Sequence, residues 1–376
     1  MFSPTRRLNH SLPKVKNMLD VCVVGAGGVG TIAAYVLENS RRARVTAILR
    51  SNYTLVKERG FDIDSIDHGK VSNWKPHNGR SPRKGTSSQR VPLTQLTLNL
   101  FLLTVVPSFT AAAADKKTYD FIVITTKALP DLTSSIIREL EPLITPGRTS
   151  LALLQNGLAI EEPFATAFPN IPIFSSVSMI GSRLTNSTSV LHQYPDVSNI
   201  GAHYHHVDET FTRATQHNAA ALYVDVYNAG LADARSKTNA RCLLVEDIVG
   251  ARWAKLLWNA SFNTLCTVLR MPVGELLSGP GRNTLLEPAM REIAAVATAA
   301  GYEDAVSEDM IQNKLHDSAP TSTFRPSMLV DLENGRPLEL EVILGAPLRV
   351  ALEKGISTPV LTQVYELLKQ LQWKLT

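Results

Sequence analysis

An α/β domain built on a parallel sheet, followed by an all-α domain, is the fold class predicted by this 376-residue sequence. Three observations lead there. Over the first 160 residues, short and almost uninterrupted apolar runs alternate with helical periodicities, as expected of strands covered on both faces by crossover helices. A cluster of glycines follows the first of these runs directly. From Asp247 onward the β-rich runs stop, and long helical periodicities punctuated by Pro and Gly take over.

Taken in order, residues 1–17 carry Arg6, Arg7, Lys14 and Lys16 and no acid, and read as an N-terminal extension. The stretch is short for a mitochondrial presequence, and Pro4 and Pro13 interrupt an amphipathic helix, so the cytoplasm is the expected compartment and the mitochondrion the alternative. Leu19-Asp20-Val21-Cys22-Val23-Val24 reads as a buried strand, Thr31 to Asn39 as a helix and Val45 to Leu49 as a second strand. Phe121 to Thr126 is a further strand, Leu132 to Leu140 a helix, and Ser150 to Leu154 a strand that ends at Gln155-Asn156-Gly157. The first domain is placed at 18–246 and a helical domain for substrate and dimerisation at 247–376. Residues 77–110 break the pattern. They are basic and Ser/Gly/Pro-rich, then Leu/Thr-rich, and the sequence reads them as an insertion: a surface loop or translated non-coding sequence.

Composition excludes several classes. The net charge of +4 comes from residues 1–17 (+4) and 75–90 (+5), which leaves the remainder at −5, a poor footprint for nucleic acid. The longest apolar stretch, Leu93 to Val106, is broken by five polar residues and falls short of the roughly 20 needed to span a bilayer. Cys22, Cys242 and Cys266 are scattered, and His203, His205 and His206 fall in an expected loop and are read as without carboxylate or cysteine support, so no metal site is expected.

The stretch Gly25-Ala26-Gly27-Gly28-Val29-Gly30, between a strand and a helix, fits a Rossmann-type dinucleotide site. Gly25 makes the turn, Gly27 lets the backbone approach the pyrophosphate, and Gly30 lets helix pack on sheet. At the end of the second strand, Leu49-Arg50-Ser51-Asn52 offers a guanidinium and no acid, which favours the 2′-phosphate of NADP over the ribose of NAD. Further on, Lys255, Asn259 and Asn263 stand at i, i+4 and i+8, within about 80° on a helix. A polar stripe on an apolar helix suits carbonyl reduction, where hydride arrival leaves negative charge on an oxygen that needs a proton donor and fixed hydrogen-bond donors.

With Thr125-Thr126-Lys127-Ala128, Gln155-Asn156-Gly157 and Ser327-Met328-Leu329-Val330-Asp331 followed by Glu339, these motifs make the chain resemble the ketopantoate reductase (2-dehydropantoate 2-reductase) family from Leu19 to about Leu371, omitting the insertion. The resemblance implies NADPH-dependent reduction of 2-dehydropantoate to pantoate in pantothenate biosynthesis. It makes Lys255 the general acid, with Glu339 near the lysine and the nicotinamide. It implies substrate contacts from Asn156, Lys255, Asn259, Asn263 and Ser327. Cofactor contacts fall to Lys127, Asn156 and Glu339 beside the glycine stretch and Arg50. Asp331 is read either as part of this pattern or as a structural cap. The chain departs from the family pattern at Val273, Thr264 and Leu344, where Val273 and Leu344 stand in place of common asparagines. The alternatives are therefore a paralogue reducing another 2-oxo acid and a catalytically silent NADP-binding protein. A small-molecule substrate and a homodimer are the expected partners.

Overall fold

The computed structural model describes residues 18–76, 105–114 and 116–375. The chain opens as the apolar runs require. Strand β1 (Leu19–Val24) is buried along its whole length and leads into the Gly28–Asn39 helix and then β2 (Ala43–Ile48), parallel to β1 and in register from Leu19–Ala43 to Val24–Ile48. The later strands are β3 (Phe61–Ser65), β4 (Gly69–Trp74), β5 (Val105–Val106), β6 (Phe121–Ile124), β7 (Ser150–Leu153), β8 (Ile173–Ser178), β9 (Gly181–Leu184), β10 (Ser189–Tyr194), β11 (Val197–Ala202) and β12 (Arg241–Leu244). Eight of them form one sheet in the order β12-β11-β8-β7-β6-β1-β2-β5, parallel except where β11 runs against β8. The order reverses between β1 and β6, and ligands of such sheets bind in the crevice beyond the strand ends at that point. Gly25 leaves β1 there and Thr125 leaves β6.

Two features depart from the sequence reading. The sheet edge beyond β2 is β5, with Val105, Val106 and Phe109 buried and Leu49 N–H donating to Val106 O at 2.9 Å. Residues 105–110 therefore belong to the fold, because two valines suffice to pair with β2 even at the end of a Leu/Thr-rich run. Residues 77–104 of the proposed insertion lie outside the described residues, as do residues 1–17. A second sheet, in the order β4-β3-β10-β9, also went unread. Its strands are short, with one face buried: Phe61, Ile63 and Ser65 point inward and Asp62 and Asp64 outward. Alternation over five residues is a weak signal beside the continuous apolar runs.

Beyond β12 the described residues hold helices only. The Ile248–Trp258 helix, capped by Asp247 accepting from Gly250 N–H at 2.8 Å, packs against β8 and β11 and carries the helical core behind it: Trp253, Leu257, Phe262, Met290, Ile293 and Leu329 are all at most 1 % exposed. The polar stripe of the sequence reading is not one continuous α-helix. Asn259–Asn263 forms a π turn between the Ile248–Trp258 and Thr264–Leu269 helices, a widening often found at functional sites. Hydroxyls satisfy the carbonyls that the wider turn releases: Thr264 Oγ1 donates to Ala260 O at 2.7 Å, Thr267 Oγ1 to Asn263 O at 2.6 Å, and Ser261 Oγ to Leu257 O. Among the described residues no helix is long and apolar enough to cross a membrane.

Candidate active site

Each glycine of the first turn has its own constraint. Gly25 has φ +92°, and a Cβ there would lie 2.7 Å from Thr126 Cγ2. A Cβ on Gly30 would come 2.2 Å from Gly25 O, so helix and strand touch through it. Gly28 lies under the Ser182–Arg183 backbone of β9, which brings the small sheet onto the loop. Gly27 differs: a Cβ there meets no heavy atom within 4 Å. It is the one position of the four whose glycine the protein itself does not demand, and it is the N-cap of the Gly28–Asn39 helix, where no side chain caps the first N–H groups. Unpaired N–H groups and a positive dipole end suit a pyrophosphate. Ala26 is buried, and Val29 lines a cavity with Ser176, Ser178 and Ile180. Gly27→Val is therefore expected to leave the melting temperature unchanged while weakening dinucleotide binding at least about tenfold, about 1.4 kcal/mol. Calorimetric titration with the dinucleotide checks this; unaltered affinity would remove the loop from the site.

Arg50 follows β2, and its Nη2 donates to Glu139 Oε1 at 3.1 Å on an exposed rim. Such an exposed pair is worth about 0–1 kcal/mol, so the guanidinium is readily released to another anion.

The lysine is placed by two elements meeting. Lys255, in the last turn of the Ile248–Trp258 helix, reaches across to the strand ends: Nζ donates to Asn156 Oδ1 at 2.8 Å and to Ser178 O at 2.6 Å. Asn156 follows β7 and Ser178 closes β8. Lys255, Asn156, Asn259, Gln155 and Ser176 line one cavity at this edge. Burial, and then the charge of Arg252, bring the Lys255 ammonium down to about 8 from its ordinary 10.5, against the opposing pull of Glu339. Both acceptors of the amine are neutral, so the proton is held without being neutralised by a contacting carboxylate.

Glu339 acts at one remove. Its Oε1 accepts from Ala128 N–H at 3.0 Å and its Oε2 from Asn156 Nδ2 at 3.3 Å, so the hydrogen bonds run from Glu339 through the Asn156 amide to Lys255. This fixes which end of Asn156 faces the amine. Burial raises the Glu339 carboxyl above its ordinary value, partly offset by the Ala128 and Asn156 donors.

The other sequence candidates separate. Asn259 is buried in the cavity wall beside the lysine. Asn263 has its amide engaged: Oδ1 accepts from Met328 N–H at 2.9 Å and Nδ2 donates to Ser327 Oγ at 3.4 Å, so it anchors the start of the Ser327–Glu333 helix. Lys127, after β6, donates to Pro337 O at 2.7 Å and pairs with Asp331 at 2.8 Å; Asp331 also takes Arg336 Nε at 3.0 Å. Lys127 thus ties the sheet to the helical region, and Asp331 is the acid of an ion-pair cluster. Val273 and Leu344 are fully buried in the helical core. His203 and His205 stack at 5.5 Å, and no group of three metal-ligating side chains occurs among the described residues.

Arg252 was missed. It lies one turn before Lys255, 3 % exposed, with Nε on Glu161 Oε1 at 2.9 Å, Nη1 on Gln155 O and Gly157 O at 3.2 and 2.9 Å, and Nη2 on Ser176 O at 3.4 Å. Burial pushes the Glu161 carboxyl up, but Arg252 and the Ser175 hydroxyl outweigh it and leave the group below its ordinary value. An arginine at i−3 from the lysine on an apolar helix was the available signal; nothing in the spacing marked Glu161.

Comparison with known proteins agrees with this geometry. The family model described as ketopantoate reductase PanE/ApbA matches residues 21–204, and its C-terminal counterpart matches residues 247–372. The chain is 30% identical to Uncharacterized protein YDL144C of Saccharomyces cerevisiae over 95% of both chains. It is also 30% identical to the 2-dehydropantoate 2-reductase of Nostoc sp. over 66% of this chain and 73% of that one. The crystal structure of 2-dehydropantoate 2-reductase from Methylococcus capsulatus superposes with a TM-score of 0.73 at 26% identity, covering 95% of this chain and 98% of that one. With a glycine turn and a half-buried lysine at the same sheet edge, the chain belongs to the ketopantoate reductase family and is an NAD(P)-dependent oxidoreductase.

Proposed function

We propose that this protein reduces 2-dehydropantoate to pantoate with NADPH, in pantothenate biosynthesis. The observation that carries the reading is the Lys255 amine, held by two neutral acceptors in a cleft at the carboxyl edge of the sheet. A bound nicotinamide dinucleotide supplies the hydride to the substrate carbonyl carbon. As that hydride arrives, the C=O π bond breaks, and the oxygen takes the proton of the Lys255 ammonium, which is left as a neutral amine and recovers its proton from solvent. A proton affinity near 8 keeps the group charged at neutral pH while making it a better acid than an exposed lysine. Asn259 stands beside the amine to hold a substrate oxygen, and Asn263 holds Ser327 where a carboxylate can reach its hydroxyl. Glu339 and Lys127 serve as positioning residues in this scheme. Residues 18–246 hold the cofactor and 247–376 complete the substrate side; the cytoplasm and a homodimer belong to the same proposal.

The 2-dehydropantoate 2-reductase relatives support the substrate, and Arg50 supports NADPH. The test is loss of nicotinamide absorbance when purified protein meets NADPH and 2-dehydropantoate. Tight NADPH binding with no turnover of any 2-oxo acid would favour the silent binding protein instead. A second reading, reduction of another 2-oxo acid, rests on Val273 and Leu344 standing where asparagines are common in the family, although both side chains are buried in the helical core. For the cofactor, Arg50→Ala is expected to raise the NADPH KM about 10–100-fold, the worth of charge-assisted hydrogen bonds of about 1.5–3 kcal/mol, with the NADH KM unchanged. Equal changes for both cofactors would mean that Arg50 only decorates the rim.

A further inference from the structure

Four aromatic rings form a continuous strip that runs from the helical segment carrying Asn259 to the small sheet. Phe262 is fully buried in the helical core; Trp258 stacks on it with centroids 5.5 Å apart. Phe324 meets Trp258 at 6.0 Å, and Tyr194 meets Phe324 edge-on at 5.6 Å and 89°. Trp258 stands one residue before Asn259, and the strip ends against Gly181, where a Cβ would lie 2.2 Å from the Tyr194 ring. Gly181 is three residues past Ser178, whose carbonyl holds Lys255. The strip thus joins the helical side, which supplies Trp258 and Phe324 and, through Asn259, part of the wall of the lysine cavity, to the small sheet, which supplies Tyr194.

Exposure grows along the strip. Phe262 is at 0 %, Trp258 is half-buried, Phe324 is 37 % and Tyr194 49 % exposed. Phe324 is held in place by its backbone: Val273 N–H donates to Phe324 O at 3.0 Å, and Gly274 N–H to Ser322 O at 2.9 Å. Large apolar faces left open on a pinned loop beside a polar centre are what a ligand pocket provides for the apolar end of its ligand. The polar groups, by contrast, gather around Lys255 and around Ser327, where a keto oxygen and a carboxylate need them.

We propose that Trp258, Phe324 and Tyr194 are the specificity wall for the substrate's side chain, and that the preferred substrate class is a 2-oxo acid whose far end is bulky and apolar. This rests on the reductase reading of the site and narrows its substrate. The ring faces offer carbon, and the only polar groups of the wall are the Trp258 indole N–H and the Tyr194 hydroxyl at the ring edges; with the faces meeting the substrate, the hydroxyl of 2-dehydropantoate is tolerated rather than recognised. A site built to bind a hydroxyl rejects the analogue lacking it by about 10⁴–10⁵-fold, whereas an apolar pocket discriminates by about 10²-fold or less.

The test compares 2-dehydropantoate with 3,3-dimethyl-2-oxobutanoate, which has the same skeleton without the hydroxyl, and with pyruvate, for the wild type and for the Phe324→Ala and Tyr194→Ala variants. The expected results are a kcat/KM for the deoxy compound within about tenfold of that for 2-dehydropantoate, or above it. Either variant should lower kcat/KM for the two bulky acids about tenfold or more while changing pyruvate by less than about threefold, through KM rather than kcat. A deoxy compound worse by more than about 10²-fold, or variants that change all three acids equally, would overturn the proposal. Reduction of none of the three with either nicotinamide cofactor would defeat the reductase reading itself, a separate result from selective loss of the deoxy acid.

Discussion

Replacing Lys255 by Ala lowers kcat for 2-oxo acid reduction by about 10²–10⁴-fold and leaves dinucleotide affinity within about twofold. The size follows from the part proposed for the amine, that of proton source, while its contacts are Asn156 Oδ1 and Ser178 O rather than the glycine turn. Stopped-flow turnover and a dinucleotide titration on the same variant separate the two effects; near-normal turnover would end the assignment. The wild-type pH profile carries a second mark. The general acid must be charged, and burial beside Arg252 brings it to about 8. The rate is therefore level at neutral pH and falls tenfold per unit above about 8. An exposed lysine would hold that limb beyond 10. Stability runs the other way. The folded state binds this proton less tightly than the unfolded chain, so folding is disfavoured by the lysine at every pH below about 8 and relieved as the pH climbs from there towards 10.5. Lys255→Met is accordingly expected to melt no lower than the wild type at pH 7, as befits a group kept for chemistry.

Much of this site is legible in the sequence because its chemistry is local. Gly25, Gly27 and Gly30 carry their geometric reasons within six residues, and the structure gives each glycine the packing or the open side that its place implies. Lys255 and Asn259 are one helical turn apart and arrive in one cavity. Asn263 shows the limit. Its spacing predicts a place on the stripe, but the π turn shifts the helix phase there, and its amide is spent on Ser327 and Met328, 64 and 65 residues away. Glu339 was read as a partner of Lys255, and only the fold shows Asn156 standing between them. The small sheet was illegible for a related reason. β10 pairs in parallel with β3 across more than 120 residues, and neither strand's pattern names its partner. The aromatic strip is of the same kind: Tyr194, Trp258 and Phe324 come from three distant segments and mean nothing until they touch.

Arg252→Ala is expected to cost about 3–5 kcal/mol, the usual consequence of removing one partner from a buried ion pair, and to lower the melting temperature by roughly 6–20 °C on a scale of about 2–4 °C per kcal/mol. The guanidinium serves several groups at once: the Glu161 carboxylate and the carbonyls of Gln155, Gly157 and Ser176. Without it Glu161, 2 % exposed, keeps a charge with no counterion, or takes up a proton. If charge isolation is the main loss, Arg252→Met with Glu161→Leu restores part of the stability, because an apolar pair of similar volume avoids the desolvation of two ions. Recovery stays partial, since three carbonyls remain without their donor. The same double variant separates stability from chemistry. Arg252 joins the helix that carries Lys255 to the strand ends that carry Asn156 and Ser178, and its charge is the second cause of the lowered lysine. The double variant should therefore fold and bind dinucleotide, yet turn over more slowly, with the alkaline limb of its profile moved above 8. Full recovery of both melting temperature and turnover would show that the arginine merely fills space, and that the helix finds its seat on the sheet without it.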